Sequence, residues 1–151
     1  MRLTYGHGLR SWVLYQHLVN NQSFSKIAEN LVELFGIDIG KVVLNWFKTD
    51  LYEKHTSTYE QIRAELIASD VLVVDEAEMK LSDAVGFAWV FANTRNVFFI
   101  FRETRDGGFL KDFLKNFRGV LVSDFYAAYD SIPCPQQKCL IHLMRDLNED
   151  V

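Results

Sequence analysis

Cysteine, proline and long apolar runs are scarce in this sequence. Its 151 residues contain two prolines and two cysteines, and no apolar run approaches the roughly 20 residues that span a bilayer. The first residues lack the apolar centre of a signal peptide. Cys134 and Cys139 are too few and too close together for a secreted disulfide framework. We therefore expect a cytoplasmic protein with no membrane partner.

The sequence also lacks a basic excess, since its net charge is −4. This argues against nonspecific binding of the whole chain to nucleic acid, which requires a positive surface. Residues 1–69 hold seven basic and seven acidic groups, whereas residues 70–151 hold nine basic and thirteen acidic groups. Divalent cations bound in the second segment would offset part of its acidity.

Apolar residues recur at helical spacing up to about residue 69. Ser23 is a predicted N-cap and Gly36 a predicted helix stop. The second and third helices, separated by a glycine-containing turn of three or four residues, form a helix-turn-helix candidate. In the third helix we expect Val42, Val43, Trp46 and Phe47 to face inward. The predicted helices run over about 9–21, 23–35, 39–48 and 52–69.

Short apolar runs replace the helical spacing from residue 70 onward. Strands are predicted over 71–74, 87–91, 97–101 and 120–122, with helices over about 109–117 and 140–149. The strands are apolar on both faces, which predicts a sheet covered on both sides. In the last helix we expect Leu140, Leu143, Met144 and Leu147 to face inward. The fold class is α+β, with a helical region at 1–69 and a sheet domain at 70–151.

Two aspartates follow predicted strands, Asp75 after the first and Asp124 after the fourth. Three strands joined by short turns form an antiparallel meander, and a helical crossover places the fourth strand beside and parallel to the first. The two aspartates then lie at the same edge of the sheet, where sites form in open α/β sheets. Each could instead cap the loop that follows it.

Carboxylates held this close repel each other unless a cation lies between them. Mg²⁺ is suited to such a site, because it binds a few carboxylates together with waters and phosphate oxygens. Two such ions can hold both the attacking and the leaving oxygens of a phosphodiester. The predicted chemistry is metal-assisted phosphoryl transfer on nucleic acid.

Two segments carry a resemblance to a known family. They read G-V-L-V-S-D-F-Y-A-A-Y over 119–129 and C-L-I-H-L-M-R-D-L over 139–147. Val73-Val74-Asp75-Glu76 and Gly86-Phe87-Ala88-Trp89-Val90-Phe91 extend it, as do the helices of the first region. This pattern strongly resembles the insertion sequence 66 family of transposases. One departure is Ala77, where the family commonly has threonine.

The resemblance implies an incomplete ribonuclease H-like domain with an Asp-Asp-Glu triad. Such a domain cuts transposon ends and joins them to target DNA with Mg²⁺ or Mn²⁺. Asp75 and Asp124 match the first two acids, as catalytic residues and metal ligands. The third acid, a glutamate, is expected after sequence beyond the last matching segment, so activity should be weak or absent. A homo-oligomer is expected in the assembled state.

Two alternative functions stay open. One is a noncatalytic DNA-binding or protein-binding remnant of a transposase. The other is a stand-alone metal-dependent nuclease in which Glu149 supplies the third acid. Cys139 and His142 are possible accessory residues, with His142 near the metal site. A zinc site on this pair would need two more ligands, and only Cys134 is a nearby candidate.

Candidate DNA-binding residues lie in both regions. Lys41, Asn45 and Lys48 lie on one face of the third predicted helix, which could enter a major groove. Arg102 and Arg105 belong to a basic cluster that could contact phosphate. A solvated helix face or loop is the ordinary explanation for such charges.

Overall fold

Helices precede strands along most of the chain. The computed structural model describes residues 5–81 and 85–149, with the side chain of Glu149 outside the described part. The nuclease alternative, which depends on that side chain, therefore lies outside the described residues. The chain forms two compact units, residues 1–57 and 58–151. The elements in order are α1 (His7–Leu18), α2 (Phe24–Phe35), α3 (Lys41–Lys54), α4 (Thr56–Ile67), β1 (Val71–Lys80), β2 (Val85–Ala92), β3 (Val97–Arg102), α5 (Gly108–Phe113), β4 (Val120–Ser123), a 3-10 turn (Tyr129–Ser131), β5 (Gln136–Lys138) and α6 (Leu140–Glu149).

The first unit is a small helical cluster whose second helix begins and ends where predicted. The hydroxyl of Ser23 accepts a hydrogen bond from the backbone N–H of Lys26 at 3.2 Å, which satisfies one of the free donors of the first turn. Gly36 closes the helix with φ of 66°, a left-handed conformation that glycine adopts without steric cost. The buried residues of this unit are Val13, Leu14, Ile27, Leu31, Ile39, Leu44 and Phe47.

Helix α3 differs from its prediction in length and in the face that it buries. It continues to Lys54, and the connection from α2 spans the five residues 36–40 rather than three or four. Val42 is 80% exposed and Trp46 is 46% exposed, whereas Leu44 and Phe47 are buried. The predicted inward face was therefore partly wrong. The continuous helix expected over 52–69 is divided at His55, which ends α3 before α4 begins.

The second unit contains one five-stranded sheet with the order β3-β2-β1-β4-β5. Strands β1 to β3 are antiparallel neighbours, and β4 pairs in parallel with β1 from Val71↔Val120 to Val73↔Val122. The predicted α+β class and mixed sheet are confirmed. The short parallel edge strand β5 was not predicted from sequence.

One face of the sheet is buried and the other is largely exposed. The buried face packs Leu72, Trp89 and Phe91 against Leu66 of α4 and Phe113 of α5. On the opposite face Val73, Phe99 and Phe101 are exposed. The predicted cover on both faces is therefore absent from the described residues. Helix α6 likewise exposes the apolar residues predicted to face inward, Leu140, Leu143, Met144 and Leu147.

Gly119 permits the parallel pairing that begins at β4. A Cβ atom added there would overlap the backbone carbonyl of Asp70, and the N–H of Val120 donates to that carbonyl at 2.8 Å. A side chain would push β4 away from β1. Among the described helices, none has the length and apolar character required to cross a membrane.

Candidate metal centre

Asp75 and Asp124 lie side by side just beyond the parallel pairing of β1 with β4. Asp75 was predicted at the end of a strand. Strand β1 instead continues to Lys80 alongside β2, so Asp75 lies in its middle. Pairing with β4 nevertheless stops at Val73 and Val122. The chain leaves β4 after Ser123, and Asp124 follows at the level of Asp75. Asp75 and Asp124 are therefore close, as predicted, because each follows the last β1–β4 pair by two residues.

Three carboxylates meet at this position. One side-chain oxygen each of Asp75, Glu76 and Asp124 lies within 4.8 Å of the others. Oδ1 of Asp75 accepts from the backbone N–H of Glu76 at 2.9 Å, and Oδ1 of Asp124 accepts from that of Tyr126 at 3.0 Å. Because Mg²⁺ and Mn²⁺ prefer carboxylate oxygens at about 2.1 Å, a small rotation of the Asp75 and Asp124 side chains would let their oxygens share an ion. The residues present fit a hard divalent cation.

Glu76 was not among the residues singled out from sequence. Its side chain is only 1% exposed, and Oε1 accepts from Nε and Nη2 of Arg105 at 2.8 and 2.6 Å. Oε2 accepts from the hydroxyl of Tyr129 at 2.5 Å. A signal was present, because Glu76 follows Leu72 and Val74 at strand spacing and so falls on their buried face. A carboxylate on that face requires a partner.

The electrostatics of the site follow from these contacts. The hydrogen bonds to Glu76 and the nearby charge of Asp124 raise the pKa of Arg105 above its ordinary value. Burial, followed by the hydrogen bond to Glu76, raises the pKa of Tyr129. The site therefore holds three carboxylates, one guanidinium and a phenol that stays protonated.

The loop after β4 makes close contacts with the loop that carries Arg105. The guanidinium carbon of Arg105 lies 4.5 Å from the ring centroid of Tyr126, whose hydroxyl donates to the backbone carbonyl of Arg105 at 3.0 Å. A Cβ atom added to Gly107 would lie 2.5 Å from that of Ala128. Tyr126, Ala128 and Tyr129 of the segment 119–129 therefore join this loop to β1 and to the loop of Arg105.

His142 lies in the first turn of α6 and Cys139 immediately precedes the helix; neither belongs to the carboxylate cluster. The N–H of Cys139 donates to the carbonyl of Ser123 at 2.7 Å, so its backbone lies beside the end of β4. Hydrogen bonding from the backbone and the ring of His142 lowers the pKa of the Cys139 thiol. Cys134 packs against the core, and burial raises the pKa of its thiol. In the described parts of the chain these residues form no group of three potential ligands.

The predicted DNA-binding residues occupy different surroundings. Lys41, Asn45 and Lys48 are all exposed on α3, at the spacing of one helix face. Arg102 lies over the ring of Phe109, with its guanidinium carbon 4.7 Å from the centroid. Arg105 is half exposed while paired with Glu76, so it is the basic residue that the structure brings to the carboxylates.

Comparison with known proteins identifies the family. The family model described as Transposase IS66 family matches residues 2–150. No curated protein matches the chain. The family match covers almost the full length and includes Asp75 on β1 and Asp124 just after β4. The chain therefore belongs to the IS66 family of transposases.

Proposed function

We propose that Asp75 and Asp124 bind the divalent metal ions with which this transposase cleaves and transfers DNA strands. The observation that carries the proposal is the convergence of their oxygens, together with one from Glu76, within 4.8 Å. These oxygens lie where parallel pairing ends, and the family acts on DNA. Mg²⁺ or Mn²⁺ is the proposed cofactor, and transposon ends and target DNA are the proposed partners.

Each residue has a distinct part in this proposal. Two bound ions would supply the charge that stabilises the attacking and leaving oxygens of a phosphodiester. Asp75 is exposed, so its carboxylate is accessible to a DNA phosphate. Asp124 uses Oδ1 for the backbone N–H of Tyr126, which fixes its carboxylate for ligation through Oδ2. The half-exposed guanidinium of Arg105 provides positive charge for a substrate phosphate.

Activity of these 151 residues by themselves should be weak or absent. The resemblance assigns two of the three acids within them, and two carboxylates hold Mg²⁺ less firmly than three. Mn²⁺ binding that requires Asp124, with no nicking of DNA, would favour the incomplete transposase domain. Binding of DNA or protein without either property would correspond to a noncatalytic remnant. Catalysis that depends on Glu149 would correspond to a stand-alone nuclease.

Mn²⁺ titration followed by nicking of supercoiled DNA tests the proposal. Asp75→Asn and Asp124→Asn should each weaken Mn²⁺ binding, whereas Asp106→Asn should not. Asp106 is a matched control because its Oδ1 also accepts from the backbone N–H two residues later, at 2.9 Å. Unchanged Mn²⁺ binding in Asp124→Asn would overturn the proposed site. Nicking that is lost in Glu149→Gln would favour the nuclease instead.

We also propose that the exposed face of α3 contacts DNA. Lys41 and Lys48 would neutralise phosphates, and Asn45 lies between them. Replacing both lysines by alanine should weaken DNA binding and reduce the slope of log K against log salt by about 2. Lys26→Ala is the control, since this lysine pairs with Glu29. Equal salt slopes for all variants would contradict the assignment.

The proposed assembled state is a homo-oligomer acting in the cytoplasm. In a homo-oligomer each of two transposon ends could be processed by its own active site. Light scattering of the chain with DNA that contains a transposon end should give a complex whose mass corresponds to more than one chain per DNA. A complex of one chain per DNA would contradict it.

A further inference from the structure

Glu76 could serve the carboxylate cluster in two ways, as a third metal ligand or as an internal support. Both of its oxygens already have partners. Oε1 accepts from two nitrogens of Arg105, and Oε2 accepts from the hydroxyl of Tyr129. Since the carboxylate is almost fully buried, these hydrogen bonds compensate the loss of its hydration.

Ligation by Glu76 would disrupt this arrangement. An ion bound to Oε2 would compete for that oxygen with the hydroxyl of Tyr129, a residue that is fully buried. An ion bound to Oε1 would bring positive charge against the Arg105 guanidinium. A buried donor without an acceptor destabilises a protein substantially. The contacts therefore favour a supporting role.

The supported element is the loop that carries Asp124. Tyr129 joins Glu76 to this loop across 53 positions of sequence. Arg105 joins it a second time, because its guanidinium packs on the ring of Tyr126. The backbone N–H of Tyr126 in turn holds Oδ1 of Asp124. Both routes lead from Glu76 to the orientation of the Asp124 carboxylate.

We propose that Glu76 is a positioning residue that orients Asp124 toward Asp75 through Tyr129 and Arg105, and that it is not a metal ligand. The inference rests on the proposed function, in which the two aspartates hold the metal. In this inference Glu76 orients the carboxylate of Asp124, whereas Asp75 and Asp124 bind the ion. Residues that orient ligands affect metal affinity without touching the ion.

Mn²⁺ binding to three variants distinguishes the two roles. For a positioning residue, Glu76→Gln and Tyr129→Phe should each weaken binding about tenfold. The double variant should be scarcely weaker than either single one, because both changes break the same connection. For a ligand, Glu76→Gln would weaken binding while Tyr129→Phe would leave it unchanged or tighten it. Tyr59→Phe is the control, since its hydroxyl donates to a backbone carbonyl, that of Phe99.

Water proton relaxation of bound Mn²⁺ provides a signature of geometry. If Asp124 loses its orientation, the ion exchanges a protein ligand for water, so Tyr129→Phe should raise the relaxation enhancement as Asp124→Asn does. An enhancement equal to that of the native chain would overturn the proposal. Arg105→Gln, at a half-exposed position, gives the same comparison if Tyr129→Phe does not fold.

Amide hydrogen exchange without metal separates this inference from the proposed function. The N–H of Tyr126 should exchange faster in Glu76→Gln than in the native chain, because its contact with Asp124 is loosened. If Asp124→Asn leaves Mn²⁺ binding unchanged, the proposed metal site fails, while exchange at Tyr126 still reports the support. Unchanged exchange in Glu76→Gln and Tyr129→Phe would refute the positioning role by itself.

Discussion

Replacing Asp124 by asparagine should change stability in opposite directions without and with metal. Without metal, three carboxylates lie within 4.8 Å of one another and Arg105 provides one compensating charge. Two unit charges at that separation repel by about 1 kcal/mol in water. Attraction between Asp124 and Arg105 offsets part of this. Because asparagine keeps Oδ1 for Tyr126, the variant loses mainly repulsion, and its free energy of unfolding should rise by about 0.5 kcal/mol.

The expected change in melting temperature is measurable. For a unit of the size of residues 58–151, such a gain corresponds to a rise of about 2–4 °C in melting temperature. With Mn²⁺ at about 100 times its Kd, the native chain gains about 2.7 kcal/mol. The variant should gain much less, because it has lost a ligand. The order of the two melting temperatures should therefore reverse between chelator and Mn²⁺.

Thermal unfolding followed by circular dichroism measures both effects. The assay compares the native chain, Asp124→Asn and Asp106→Asn in chelator and over an Mn²⁺ series. Asp106→Asn should follow the native chain in both conditions. If Asp124→Asn melts below the native chain in chelator and shows an equal gain with Mn²⁺, the carboxylates neither repel nor share an ion.

Three further predictions concern the contacts around the site and the first unit. The pKa of Tyr129 is raised above 10.0 in the folded chain. Its stabilising contribution is therefore complete below pH 10 and is lost as the pH rises above 10, by about 1.4 kcal/mol per pH unit. Alkaline unfolding followed by tyrosinate absorbance should show a smaller loss of stability in Tyr129→Phe than in the native chain. Gly107→Ala should destabilise the chain by about 1–3 kcal/mol through its contact with Ala128, and urea unfolding should show recovery when Ala128→Gly is added; no recovery would contradict the contact. Ser23→Ala should cost about 1 kcal/mol through loss of the cap, whereas Ser25→Ala should change urea unfolding little.

Local signals predicted the helix ends and missed the buried faces. Ser23 and Gly36 act through their own backbone neighbourhood, so their roles are readable from sequence. The inward face of α3 depends on the helices packed against it. Val42 and Leu44 are equally apolar, and tertiary packing buries only Leu44. The end of α3 at His55 is not marked in the sequence by a glycine or a proline.

Strand pattern predicted the topology of the sheet but not its surroundings. Continuous apolar runs led to the expectation of cover on both faces, yet Phe99 is 61% exposed. An apolar run in the sequence does not show whether other parts of the chain cover both of its faces. Proximity of Asp75 and Asp124 followed from strand order alone. The part played by Glu76 depends on Arg105, 29 positions away, and such a pairing has no sequence signature.

The pairing of β1 with β4 has a consequence for the order of folding. Strands β1 to β3 are joined by short connections. The pairing of Val71 with Val120 instead closes a loop that contains β2, β3 and α5. Closing a longer loop costs more entropy, and such distant contacts form slowly. We therefore expect the meander to form early and the aspartates to meet in the last phase of refolding. Mn²⁺ added at the start should leave the early phase unchanged, because its ligands are not yet together.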